Sequence, residues 1–202
     1  MSAHARLSPS ASARWAACTA SVKAIERARA AGDIGPDTSS EAADEGTAAH
    51  QIREECLSLG LDAYDFIGTA VVVNGHPWPV TREMAEALQP GIDWIRERVP
   101  AGALMMVETR VALDPWLPGQ FGTIDCAFVW RAPDGVKELV LSDLKYGFGE
   151  VEAENNLQQM IYALGALQTL YGDSRDRWPD RVRIVIDQPR KGGLKEWTIA
   201  VR

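Results

Sequence analysis

Residues 121–145 constrain this chain more than any other stretch. Two runs rich in apolar and β-branched residues, 121–130 and 137–145, flank Asp134-Gly135, a dipeptide suited to the positive φ of a tight hairpin turn. An antiparallel pair of strands is expected. The second run closes on Leu139-Val140-Leu141-Ser142-Asp143-Leu144-Lys145. Side chains alternate across a strand, so Asp143 and Lys145 project from the same side. Asp125 lies eighteen residues before Asp143, after Gly122-Thr123-Ile124. The chain must build a sheet that carries two carboxylates and an ammonium near one end.

Further strands are expected over about 104–113, 182–188 and 195–201. Helical character runs from Ser8-Pro9-Ser10 to Ala31, from Ser39 or Ser40 to about Leu59, from Thr81 to about Arg98, and from Glu152 to Tyr171. Ser and Thr serve as caps, and Gly32, Gly60 and Gly172 as stops. Gly35-Pro36-Asp37 breaks the chain. Val71-Val72-Val73 before Asn74-Gly75 reads as a loop or small hairpin. Helices first, then three strands, a helix and more strands give a mixed α/β sandwich with most of its sheet in the second half.

A chain of 202 residues is most simply one domain. We divide it into a leader (1–9), a mainly helical part (10–100) and a sheet-containing core (103–202). No apolar run reaches the roughly 18 residues of a membrane span, so no membrane partner is expected. Cys18, Cys56 and Cys126 are too few and too far apart for a disulfide framework or a zinc pair, and a reducing cytoplasm fits them. The net charge of −7 is not that of a typical nucleic-acid binder. Its distribution is uneven: Gly32 to Ala70 holds nine acidic residues and one arginine, while Asp173 to Arg202 holds eight basic and five acidic residues. The basic tail (Arg175, Arg177, Arg181, Arg183, Arg190, Lys191, Lys195) is the candidate for phosphate contacts.

Paired carboxylates beside a lysine suit a divalent metal next to a reacting phosphate. Mg²⁺ or Mn²⁺ takes hard oxygen ligands and keeps several waters, so one or two carboxylates suffice. Asp125 and Asp143 supply two, and the backbone carbonyl of Leu144 can add a third oxygen. Lys145 can position the attacking water or stabilise charge on phosphorus. His50, on the second helix in Glu45-Gly46-Thr47-Ala48-Ala49-His50, can complete the shell and tilt preference toward Mn²⁺; small residues there allow close helix-to-sheet approach. Gln158 and Tyr162 share a face of the long helix, whose buried stripe is read as Leu157, Met160, Ile161, Leu164 and Leu167. Glu108 and Glu54 are weaker candidates with structural roles. His4 and His76 form no ligand cluster.

With these residues in order, the chain resembles PD-(D/E)XK nucleases of the RecB-like, phage-exonuclease branch. The likeness rests on Leu7-Ser8-Pro9-Ser10-Ala11-Ser12 with Trp15 and Cys18, the His50 motif, and Phe121-Gly122-Thr123-Ile124-Asp125. Asp143-Leu144-Lys145-Tyr146-Gly147, Glu154-Asn155-Asn156, Gln158 with Tyr162-Ala163-Leu164-Gly165-Ala166, and Gln188-Pro189-Arg190 complete it. The resemblance implies a three-layer restriction-endonuclease-like core, a mixed central sheet flanked by helices, with extra N-terminal helices. It implies catalytic roles for Asp125, Asp143, Lys145, Gln158 and Tyr162, and metal ligation by His50, Asp125, Asp143 and the Leu144 carbonyl. Some relatives bind an iron–sulfur cluster through one early cysteine and a late group; Cys18 has no late partners, so no cluster is expected. Relatives also continue past the Gln-Pro strand, which makes this chain a minimal version or a fragment.

The expected function is a metal-dependent deoxyribonuclease, an exonuclease of phage recombination or replication, encoded by a phage or prophage and acting in the bacterial cytoplasm. DNA is the expected partner, with a single-strand-annealing protein and self-association as further candidates. The rivals are an endonuclease or structure-specific nuclease on the same fold, and a non-catalytic DNA-binding or assembly protein on a nuclease scaffold.

Overall fold

The computed structural model describes residues 5–35, 39–114 and 116–201. His4 and the rest of residues 1–4 of the leader, Pro36 and Asp37 of the expected break, and Arg202 lie outside the described residues. The fold is α/β, with a five-stranded mixed sheet, a separate two-stranded hairpin and several helices. The chain divides into two compact units, one of Met1–Ser39, Arg110–Thr123 and Asn155–Trp178, the other of Ser40–Thr109, Ile124–Glu154 and Pro179–Arg202.

In the first unit, a 3₁₀ turn at Pro9–Ala11 leads into α1 (Ser12–Ala17) and α2 (Ala20–Ala31). One helix was expected here. Cys18 interrupts it in an extended conformation, while Gly32 closes α2 at φ 80°. The long helix α5 (Leu157–Tyr171) starts five residues later than its apolar pattern suggests. Asn155 adopts φ 56°, and the Asn156 side chain accepts from the Gln159 N–H, so an Asx cap rather than helix occupies this turn. The buried stripe of α5 is also rotated. Gln159, Ile161, Tyr162, Ala163, Gly165, Ala166 and Leu167 are inside, and Met160 is exposed. Close contacts fix that rotation: a Cβ at Gly165 would lie 2.7 Å from Val111, and one at Gly122 2.4 Å from the Tyr162 ring.

In the second unit, Ser40 caps α3 (Glu41–Leu59) by accepting from the Ala43 N–H, and Gly60 ends it at φ 72°. β1 (Ala70–Val73) and β2 (His76–Pro79) form the hairpin. Its two turn residues, Asn74 and Gly75, both have positive φ, as a type I′ turn requires. Thr81 caps α4 (Arg82–Arg96). Ile52 and Cys56 of α3 and Met84, Leu88, Ile92 and Ile95 of α4 form one apolar cluster with Phe128, Val140 and Val185 of the sheet.

The sheet order is β3 (Met105–Ala112), β4 (Phe121–Arg131), β5 (Lys137–Leu144), β6 (Arg181–Gln188) and β7 (Gly193–Ala200). β5 is central, antiparallel to β4 and parallel to β6. A central strand is covered on both faces, and hence Leu139, Val140 and Leu141 are all buried without alternation. A carboxylate shares this position: Glu138 is fully buried. It accepts from Trp130 Nε1 at 3.0 Å and Arg183 Nε at 3.0 Å, and pairs with Arg181 at 2.8 Å.

Burial pushes the Glu138 carboxyl up, but the hydrogen bonds from Arg183 and Trp130 outweigh it and hold the group below the usual carboxylate range. Its stabilisation is complete above the unfolded carboxylate pKa and is lost as pH falls through the lower folded value. Glu138→Leu is expected to cost about 3 kcal/mol at neutral pH, the low end for a broken buried pair. Arg181 and Arg183 remain 27% and 25% exposed, which softens the loss. Urea titrations at pH 7 and pH 3 should show the variant's deficit shrinking at acid pH.

Candidate active site

The site forms where β4 and β5 part. Their ladder begins at Cys126↔Ser142 and runs to Arg131↔Lys137. Beyond it the Leu144 N–H, on the β4 side, donates to Asp125 Oδ2 at 2.9 Å, while the Lys145 N–H continues the β5–β6 ladder by donating to the Asp187 carbonyl at 2.8 Å. Asp125 is thereby turned toward the end of β5. Asp143 and Lys145 lie on one side of the strand end, with Nζ 2.5 Å from Oδ2.

α3 brings His50 to the same place. Its Nδ1 is 3.2 Å from Asp125 Oδ2 and 3.9 Å from Glu108 Oε1. His50, Glu108 and Asp125 offer ligand atoms that all lie within 4.8 Å of one another. Donors on an octahedral ion at about 2.1 Å sit about 3 Å apart when adjacent and about 4.2 Å when opposite. The two His50 distances fall within this range and the 4.8 Å limit on the set slightly exceeds it, so one imidazole nitrogen and two carboxylates could hold a divalent metal after a small side-chain movement. Glu108, read from sequence as structural, is the third member. It holds φ 40°, a strained region for a residue other than glycine and one associated with functional sites. Asp143, expected as a ligand, lies outside this three-residue group and pairs with Lys145. Leu144 joins the site through its N–H.

Arg53 and Asp187 add what the sequence did not reveal. Arg53 is 2% exposed. It donates to Ser142 Oγ at 2.5 Å, and Nη1 lies 3.7 Å from Asp125. Asp187 is equally buried, with Oδ2 making no hydrogen bond. That carboxylate presses on α4, where a Cβ at Gly91 would come within 1.8 Å of it. Glu54 joins His50, Glu108 and Asp125 in lining an open groove of about 560 Å³. The only Lys or Arg in the acidic stretch from Gly32 to Ala70 is Arg53; that isolation was the signal for it.

Ala48 and Ala49 are fully buried and bring α3 close to its neighbours. Gly46 does not share this role, since a Cβ there meets nothing within 4 Å. Gln158 and Tyr162 belong to the first unit. There Tyr162 is buried against Gly122 and Gln158 is half-buried. His76 is exposed on β2. Much of the basic tail is engaged internally: Arg181 and Arg183 with Glu138, Arg183 with Glu196, Arg190 with Glu45, and Lys195 with Glu150 and Glu152. These cations neutralise local acids rather than forming an open phosphate-binding face.

The crowded charges oppose one another. Burial pushes Asp125 up, yet its hydrogen bond to His50, the charges of His50 and Arg53, and the Leu144 N–H hold it below the usual range. Burial, then the charge of Asp125, push Asp143 up to about 6 against the pull of Lys145. Burial favours neutral His50, but its hydrogen bond to Asp125 and that partner's charge win, raising it to about 10. A metal ligand must be the neutral imidazole. A divalent ion bound here at pH 7 would therefore expel the His50 proton, and its affinity would rise with pH. Calorimetric titration of Mn²⁺ in buffers of different ionisation heat is expected to show release of about one proton. A heat of binding independent of buffer would contradict it.

The chain matches the family described as "Protein of unknown function (DUF2800)" over residues 4–202, and it belongs to that family. No solved structure matches it.

Proposed function

We propose that this member of the DUF2800 family is a metal-dependent deoxyribonuclease with a three-layer PD-(D/E)XK-type core, acting as an exonuclease in phage recombination or replication. One observation carries the reading. A His50–Glu108–Asp125 cluster with metal-ligand spacing sits at the strand ends that also hold the Asp143–Lys145 pair.

His50, Glu108 and Asp125 would hold Mg²⁺ or Mn²⁺, which when bound supplies Lewis-acid polarisation of a phosphate and an activated water. Lys145 contributes a cation held in one direction by Asp143, suited to orient the attacking water and to meet charge developing on a phosphate oxygen. Asp143 is deeply buried, so its bond to Lys145 is not exchanged for bulk water. Arg53 places a buried charge 3.7 Å from Asp125 without reaching solvent and favours its ionised form, which makes it a positioning residue. The order of motifs along the chain supports the nuclease reading, as does the antiparallel β4–β5 pair followed by parallel β6.

Lys145→Ala and Glu108→Gln are expected to lower Mn²⁺-dependent cleavage of DNA by about 10²–10³-fold, with circular dichroism and melting unchanged to within a few degrees. Purified protein should be incubated with linear and covalently closed circular DNA in Mg²⁺, Mn²⁺ or EDTA. Metal-dependent degradation of the linear form alone supports the exonuclease. Cutting of both forms replaces it with an endonuclease, and binding without cleavage with a non-catalytic role. Wild-type rates in Lys145→Ala would remove the site assignment.

A further inference from the structure

Helix-interior glycine is a poor choice for stability, and it normally answers to a positive φ or to a neighbour pressing in. Gly91, Gly122 and Gly165 have such neighbours. Gly46, inside α3, has neither: its φ is not positive, and a Cβ there meets no atom within 4 Å. Gly147 and Gly149, just after Lys145, are the same on both counts. These three glycines line one cavity of about 320 Å³ together with His50, Lys145 and Tyr146. The space they leave serves neither the backbone nor the protein's own packing.

Phe148 stands between the two loop glycines and is 68% exposed. Its ring is braced from one side by Arg190, whose guanidinium lies 5.1 Å from the Phe148 centroid and 3.9 Å from that of Tyr146. Glu45 clamps this guanidinium at 2.5 and 2.6 Å. A flat apolar ring is thus held on a rigid support with much of its surface in water.

We infer that the glycine-lined cavity admits the sugar–phosphate backbone of a single nucleic-acid strand beside Lys145, and that Phe148 stacks on an unpaired base of that strand. This rests on the nuclease reading for its substrate class. Glycine lets a ligand backbone approach closely, and every nucleobase offers a face to an aromatic ring. A cavity of this volume is at the small end of ligand sites, roughly 300–1,000 Å³, the size for one strand and not a duplex. A paired base has no free face, so the substrate enters as a single strand or a frayed end.

The test uses the full chain and a short single-stranded oligonucleotide carrying 2-aminopurine, titrated in EDTA and again in Ca²⁺, with cleavage measured separately in Mn²⁺. Gly46→Ala is expected to melt at the same or higher temperature, yet to bind at least about tenfold more weakly. Phe148→Ala should lose about tenfold in affinity and the quenching of 2-aminopurine, while Phe148→Trp keeps both. Gly46→Ala binding as wild type, or Phe148→Ala quenching as wild type, overturns the inference even if DNA is cut. Wild-type binding with Phe148-dependent quenching but no cleavage sustains the strand site and removes the nuclease. Failure of wild type to bind the oligonucleotide overturns the strand site, and absence of cleavage as well would remove both.

Discussion

The site depends on one buried guanidinium. Asp125, Asp143 and Asp187 are carried by three adjacent strands, and Asp143 and Asp187 are almost wholly removed from water. Carboxylates so placed repel one another and lose hydration, which raises their proton affinity. Arg53 opposes both effects for Asp125 and Asp187, and its bond to Ser142 fixes where the charge sits. Arginine suits this place because it stays protonated when buried, unlike lysine. Asp143 depends on Lys145 instead, and that cation reaches the open side of the strand. The protein thereby keeps one cation fixed inside and one directed outward.

The same logic explains why the strand ends separate. A continued β4–β5 ladder would place Asp125 and Asp143 as direct cross-strand neighbours, where like charges are destabilising. Parting the strands leaves the Leu144 N–H, which faces β4, without a backbone partner there, and buried donors must be satisfied. The Asp125 carboxylate accepts from it. The departure from regular pairing is therefore balanced locally, and it turns Asp125 toward His50 and Glu108. Glu108 joins the cluster from a backbone of positive φ, so the candidate metal set combines a helix, a strained strand position and a residue just past the end of the β4–β5 ladder.

What was legible in the sequence is what period and punctuation encode. The hairpin at Asp134-Gly135, the uninterrupted apolar run of β5, the caps at Ser40 and Thr81, and the shared side of Asp143 and Lys145 all follow from local rules. Glu108 was underrated because nothing in Val107-Glu108-Thr109 announces a positive φ. The start of α5 was misplaced because apolar spacing continues through Val151 and Ala153, while the Asn156 cap decides the boundary. Cys18 split the first helix without a glycine or proline to mark it. The basic tail looked available because its acidic partners, Glu45, Glu138, Glu150 and Glu152, are distant in sequence. Arg53 was counted only as the one arginine of an acidic stretch, and only burial showed that it faces inward.

Those paired tail cations bear on how an acidic chain can handle a polyanion. Nucleic-acid affinity commonly comes from many lysines and arginines that release counterions. Arg181, Arg183, Arg190 and Lys195 are held by the protein's own carboxylates, so each phosphate contact by them would have to compete with an internal ion pair. Under the proposed function, attraction would then come from local features: Lys145, a divalent ion held at the His50 cluster, and an aromatic face that carries no charge. Stacking is indifferent to the sign of the surrounding surface, while an acidic exterior would repel DNA except where a metal and Lys145 offset it. The negative charge and the exposed Phe148 are thus compatible features of the proposed arrangement, in which a strand would be held near Lys145 and repelled elsewhere.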